Sequence, residues 1–540
     1  MNTTRLAAAL LVGLAIAGCE GGGVDVGVET VDNSVDNSTN GSGGGGGGNN
    51  PCATYTPPNS NEARIGTFDG TNCVYSSAFV GKTNPLVVDL TVPFISGVHI
   101  FQDSLFVGEN VTSGAAPASG EGPALTIAAG NTLAFSSSAD YVLINRGSQI
   151  FAEGSPTAPI TFTAFSDAVS DTAGANDVSL WGGIVLNGNG ITNNCNDDER
   201  ANNQCHVVSE GQPSNYGGND NADNSGVLRY VVVKHTGFEV APGDELNGIT
   251  FNAVGSGTTV ENVQAYSTFD DGLEFFGGAV NVSNVVVLYA RDDSLDFSDG
   301  YSGTISNALI IHYRTDGNRC IEGDNISEER ATGEPLDTAP QSAPTFRNLT
   351  CITSNGDQGA GQGTHGDSEG PLARFGAVIN IEDSIVYAGY GAALGLDSNE
   401  CFEVESDVSL AAAADGASTI RSSVFACEEA IKGTLANGDA LTEWALGANP
   451  STNGANYSFN TGNVIIADSD SANVSVLVPG TFFTSTALTD DGGNPISITP
   501  VTPEDEGGHL GAVLASDDWT TPWAFGLRPE NADEPLWFAP

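Results

Sequence analysis

The sequence predicts an all-β fold, a parallel β-helix, on three observations. Residues 255–325 hold one unit three times over: GSGTTVENVQAYSTFDDGLEFFGG, AVNVSNVVVLYARDDSLDFSDG and YSGTISNALIIHYRTDGNRCIEGDN. Asn262, Asn284 and Asn307 occupy the same point in each, 22 and then 23 residues apart. A period in the low twenties marks stacked supersecondary units. Within each unit apolar residues alternate after the Asn (Val263 and Ala265, Val285 and Val287, Ala308 and Ile310), and alternation of period two means strands. Gly is abundant at 69 of 540 residues, and Gly, Asn and Asp separate the short apolar runs. Like residues then stack rung on rung about 4.8 Å apart. The Asn column suits such stacking, since amides at a bend hydrogen-bond to each other and to the turn.

In chain order, residues 1–18 read as a lipoprotein signal peptide, with Arg5 ahead of an apolar run from Leu6 to Ile16. That run is too short to span a bilayer. It ends in Ile16-Ala17-Gly18-Cys19, which resembles a bacterial lipobox, and the resemblance implies cleavage before Cys19 and lipidation of its thiol. Glu20 rather than Asp follows, unlike an inner-membrane retention signal. Residues 19–50, rich in Gly and Asn, read as a flexible tether with a reach of roughly 30 Å. Residues 51–123 are expected to cap the N-terminal end, because an open solenoid exposes a strand edge. Residues 124–433 read as the β-helix, and 434–540 as the last coils and a closing cap.

Nine cysteines are present, so eight remain after Cys19. An even number in an oxidising compartment reads as disulfides. Nearest-neighbour pairing is the simplest arrangement: Cys52–Cys73, Cys195–Cys205, Cys320–Cys351 and Cys401–Cys427. No CxxC and no Cys/His cluster at zinc spacing occurs.

WGGIVLNGNGITN, SGVLRYVVVKHTGFE, the repeat triplet and the terminal GAVLASDDW together resemble a broad family of bacterial surface and secreted β-helix proteins, many of them Gram-negative lipoproteins. The resemblance implies a right-handed parallel β-helix, to which the cysteine count adds disulfide-stapled loops and the exposed solenoid ends add caps. It brings no catalytic residues, because fold and function separate readily in this class.

The chemistry gathers at an acidic corner of the repeat. Asp271, Asp293 and Asp316 are expected to stack, as are Glu274, Asp296 and Glu322, with Asp270 and Asp292 beside them. Asn247 and Thr250 head the two columns one coil earlier. Two carboxylates one rung apart repel by roughly 3.5 kcal/mol at an effective dielectric of about 20. Three remedies exist: a bound cation, a paired Arg, or a raised pKa. Calcium is the natural cation, taking carboxylate, amide and carbonyl oxygens in flexible geometry. Arg291 and Arg314 follow the apolar strands at equivalent places, so an Arg–Asp ladder stays open beside calcium. A third reading is catalysis, with Asp293 and Arg291 or Arg314 resembling in type the calcium-and-base set of polysaccharide lyases. A glycoside hydrolase would instead need two carboxylates at a set separation.

Net charge is −51, from 16 basic and 67 acidic residues, which excludes nucleic acid as a partner. The sequence therefore predicts a monomeric, outer-membrane, lipid-anchored, surface-displayed protein. It binds Ca2+ at the acidic corner and presents a face to a glycan or an outer-membrane protein. The alternative is a calcium-dependent lyase or hydrolase of acidic glycans.

Overall fold

The computed structural model describes residues 50–211, 214–241, 244–354, 366–389, 400–467, 474–490, 492–502 and 508–538. The expected signal peptide, Cys19 and the tether up to residue 49 lie outside the described residues. Among the described residues no helix is long and apolar enough to cross a membrane.

The chain winds as a parallel β-helix. One wall is a nine-stranded parallel sheet whose strands follow chain order, from Leu105–Val107 through Val142–Ile144, Ile184–Asn187, Ile249–Asn252, Leu273–Phe276, Leu295–Ser298, Ile321–Asp324 and Leu372–Arg374 to Glu403–Val404. The other wall is built from two short strands per coil at each end, such as Gln149–Glu153 and Ile160–Ala164. In the middle coils these fuse into single long strands, Gly226–Lys234, Thr259–Tyr266, Asn281–Leu288, Thr304–Ile311 and Thr345–Thr353.

Each long strand bends at one residue. Tyr230, Asn262, Asn284, Asn307, Asn348, Asp383 and Ser422 stand in register, and all have φ between 49° and 56°. This is the left-handed region, where Asn and Asp are the least strained of the residues with a Cβ. The recurring Asn thus follows from backbone conformation first. The amide ladder expected from the sequence is represented by one bond, Asn307 Nδ2 to Asn284 Oδ1 at 2.9 Å.

The core lies between the walls. Val231, Val233, Val263, Ala265, Val285, Val287, Ala308 and Ile310 meet Leu273, Phe275, Leu295, Phe297 and Ile321 there. Trp181 is fully buried and stacks on Phe135. All four disulfides pair as nearest neighbours.

Two boundaries move. Parallel pairing already links Leu90–Val92, Val98–Phe101 and Leu105–Val107 to the following coil, so the ladder begins inside 51–123. It also runs past 433, to Val464–Ile466. Strands of three or four residues carry too little alternation to be read. The described residues of 474–490, 492–502 and 508–538 do not close the end of the coil. They run back along the flank: Gly511 N–H donates to Asp383 O, Ala512 N–H to Thr350 Oγ1, Gln264 Nε2 to Phe525 O, and Tyr266 Oη to Asp533. The cause is a second apolar layer. Val232, Tyr266, Val286, Leu288, Leu309, Ile311 and Ile352 alternate with the core residues on the outside of the long strands and are buried by Ala512, Val513, Trp523, Ala524 and Leu527.

Candidate functional site

The outer face of the nine-stranded sheet carries the acidic residues. Thr250, Glu274, Asp296 and Glu322 occupy one register column, as the repeat predicts. Leu273, Phe275, Leu295 and Phe297 alternate with them and anchor the strands in the core. Two residues before each strand a second column forms, held by side-chain acceptors for the next rung's backbone. Asn247 Oδ1 accepts from Asp271 N–H (3.1 Å), Asp271 Oδ1 from Asp293 N–H (3.0 Å), and Asp293 Oδ1 from Arg319 N–H (2.6 Å).

Arg319, not Asp316, is therefore the third rung. The three-residue insertion in that coil lengthens the turn, and Asp316 swings out to pair with Arg291 at 3.5 Å. Arg291 also donates to Asn176 and does not line the acidic corner. Arg314 is exposed in the same turn, its charge near Glu534. The Arg–Asp pair expected at the corner exists, but on another side of the coil.

The remaining predicted acids converge. Asp270, Asp271, Glu274, Asp292, Asp293, Asp296 and Glu322 line one all-polar cavity of about 360 Å3. Four residues with no counterpart in the sequence reading join them: Glu210 and Glu245 from excursions between strands, Asn318 and Arg374. Asn318 Nδ2 donates to Asp292 Oδ1 at 2.9 Å. Asn247 Nδ2 donates to Glu274. Arg374 donates to Glu322 and, through Nε, to Asp324 Oδ1 at 3.0 Å. Glu210 and Glu245 carry no repeat signal. Arg319 did carry one, since it precedes Ile321 by the same two residues that separate Asp271 from Leu273.

One arginine cannot neutralise nine carboxylates. Burial pushes Asp270, Asp271, Glu274, Asp293 and Asp296 far above the usual carboxylate range, and the neighbouring acids push them further. Glu322 is raised by burial against the opposing pull of Arg374. Asp324 is pushed up to about 7 by burial in spite of the same guanidinium. Three overlapping triads have ligand oxygens within 4.8 Å of one another: Asp270, Asp271 and Asp292; Asp271, Glu274 and Asp296; Asp293, Asp296 and Glu322. Asp296 Oδ1 is buried with no hydrogen-bond donor. Such a set fits a hard divalent cation, which would supply positive charge to Asp296 Oδ1 and to the acids crowded around it. Arg374 is held protonated by Glu322 and Asp324 and has no capacity to accept a proton.

The family model of a pectate-lyase-like β-helix domain matches residues 114–460. No curated protein and no solved structure matches the chain.

Proposed function

This chain belongs to the family of pectate-lyase-like β-helix domains, and from that premise we propose that it is an exported, lipid-anchored protein that holds calcium in the acidic cavity and binds an acidic glycan through the loaded face. The observation that carries the reading is the chain of three carboxylate triads along consecutive rungs. Without a cation the burial and mutual repulsion of these acids go uncompensated. With Ca2+ each triad supplies three of the six to eight oxygens that the ion takes, and the open positions accept sugar oxygens. An ion with unfilled positions on an otherwise anionic wall is what allows a protein of this charge to approach a polyanion at all. The lipobox at Cys19 and the paired cysteines support the exported, anchored state.

The test is titration calorimetry of the purified chain with CaCl2, followed by polygalacturonate with calcium or with EDTA. Calcium heat and calcium-dependent glycan binding are expected. Absence of heat, with no shift in the melting curve, removes the cation from the reading. Cleavage is the second reading, favoured by the family. It requires a base that Arg374 does not provide, and ultraviolet absorbance of unsaturated uronate products in the same incubation would establish it.

A further inference from the structure

A second cavity, of about 250 Å3, lies among the turns that follow the early strands of the nine-stranded sheet and is lined by Arg146, Arg200, His206, Asn189 and Gly217. Its chemistry is opposite to that of the acidic site. Arg146 is 3% exposed. Its four terminal N–H groups are all used on neutral acceptors: Cys205 O (3.1 Å), Gly217 O (2.7 Å), Val111 O, and His206 Nδ1 (2.8 Å). On its other side the His206 ring meets Asn203 O, through Nε2 at 3.1 Å. The remaining donor, Arg146 Nε–H, is buried with no acceptor. Among the described residues Arg146 pairs with no carboxylate, although the chain holds 67 of them. Burial alone lowers its pKa to about 10, which leaves it charged at neutral pH.

A buried charge is normally paired, and breaking such a pair is strongly destabilising. The surrounding loop is built to hold the guanidinium in place without one. Cys195–Cys205 pins the loop, and Asn196 and Glu199 cap its short helix reciprocally. Gly217 has no room for a Cβ, which would stand 2.8 Å from Cys205 Sγ. Arg200, 7% exposed, adds a second guanidinium on the wall, tied to Asp197 and to the carbonyls of Thr192 and Cys195. Asp220 lies at the exposed rim, where it accepts from Ala222 N–H.

We propose that this cavity is an anion site, in which the carboxylate or sulfate group of a solute no larger than one sugar ring supplies the counter-charge that Arg146 lacks. The volume corresponds to roughly eight waters, enough for one such ring. The proposal is independent of calcium, so it is tested in EDTA. Titration calorimetry with sodium glucuronate and with sodium sulfate distinguishes the two oxyanions, and glucose controls for shape without charge. Saturable heat is expected with at least one anion and none with glucose. Affinity should fall about tenfold or more in Arg146→Gln and be largely kept in Arg146→Lys. Ala116 also lines the cavity, so should Arg146→Gln not fold, Ala116→Phe fills the space without replacing the guanidinium and should abolish the same heat. No saturable heat with either anion at millimolar concentration overturns the proposal, as does binding unchanged in Ala116→Phe.

Discussion

The two walls of this solenoid share an interior and differ outside. Inside, both present the same Leu, Ile, Val and Phe columns. Outside, the long strands carry Val286, Leu288, Leu309 and Ile311, covered by residues 510–527, whereas the nine-stranded sheet carries Glu274, Asp296 and Glu322 around a water-accessible cavity. Strand pairing tolerates either pattern, because side chains on the outer face take no part in the ladder or the core. The inward residues thus specify the fold and leave the outward ones free to carry a lid on one side and an acidic cavity on the other.

The comparison breaks most severely if the lid is removed. Truncation of residues 474–540 bares Val232, Val286, Leu288, Leu309, Ile311 and Ile352, each worth roughly 1.5–3 kcal/mol of burial. That sum reaches the usual net stability of about 5–15 kcal/mol. The truncated chain should be insoluble or bind a hydrophobic dye, and a soluble, sharply melting product would refute the lid. A smaller lesion on the same wall is Leu309→Ala, which should cost about 2–5 kcal/mol in urea unfolding.

The acidic wall responds to pH in place of packing. Its carboxyls have folded pKa values above their unfolded values. The folded state therefore keeps protons that the unfolded state has lost, and the stability this provides is complete below about pH 4 and declines as pH rises. For Asp324 the decline ends near pH 7. In EDTA the loss should approach 1.4 kcal/mol, in order of magnitude, per pH unit and per proton held. Saturating calcium should flatten the slope. A melting temperature independent of pH in EDTA would contradict the packing of these acids. Asp296→Asn sharpens the point, since it should stabilise the metal-free protein by about 1–3 kcal/mol and abolish much of the calcium response. The smallest effect belongs to neither wall: Asn284→Ala at the left-handed bend should cost about 1 kcal/mol, and Asn284→Gly less.

Much of this architecture was legible before the coordinates. A regular spacing discloses the Asn register and the Glu274–Asp296–Glu322 column, and nearest-neighbour pairing of an even cysteine count gives the disulfide partners. Legibility failed where the period was interrupted. The insertion before Arg319 concealed the exchange of an acid for a base in the second column, and Glu210, Glu245 and Arg374 arrive from segments with no repeat to count. The lid was missed for a different reason. VVV in 231–233 and 285–287, and LII in 309–311, do not alternate, and an unbroken apolar run on a strand signals burial on both faces. That signal was present and pointed to a cover that only the far end of the chain provides.

The flank contacts join Gln264 to Phe525 and Tyr266 to Asp533, 261 and 267 residues apart in the chain. The repeat coils pair segments 22 or 23 residues apart, whereas their cover comes from far along the chain. A coil that folds before residues 510–527 dock exposes an adhesive apolar stripe. Such distant pairings are slow to form, so the uncovered coil is the aggregation-prone species of this topology.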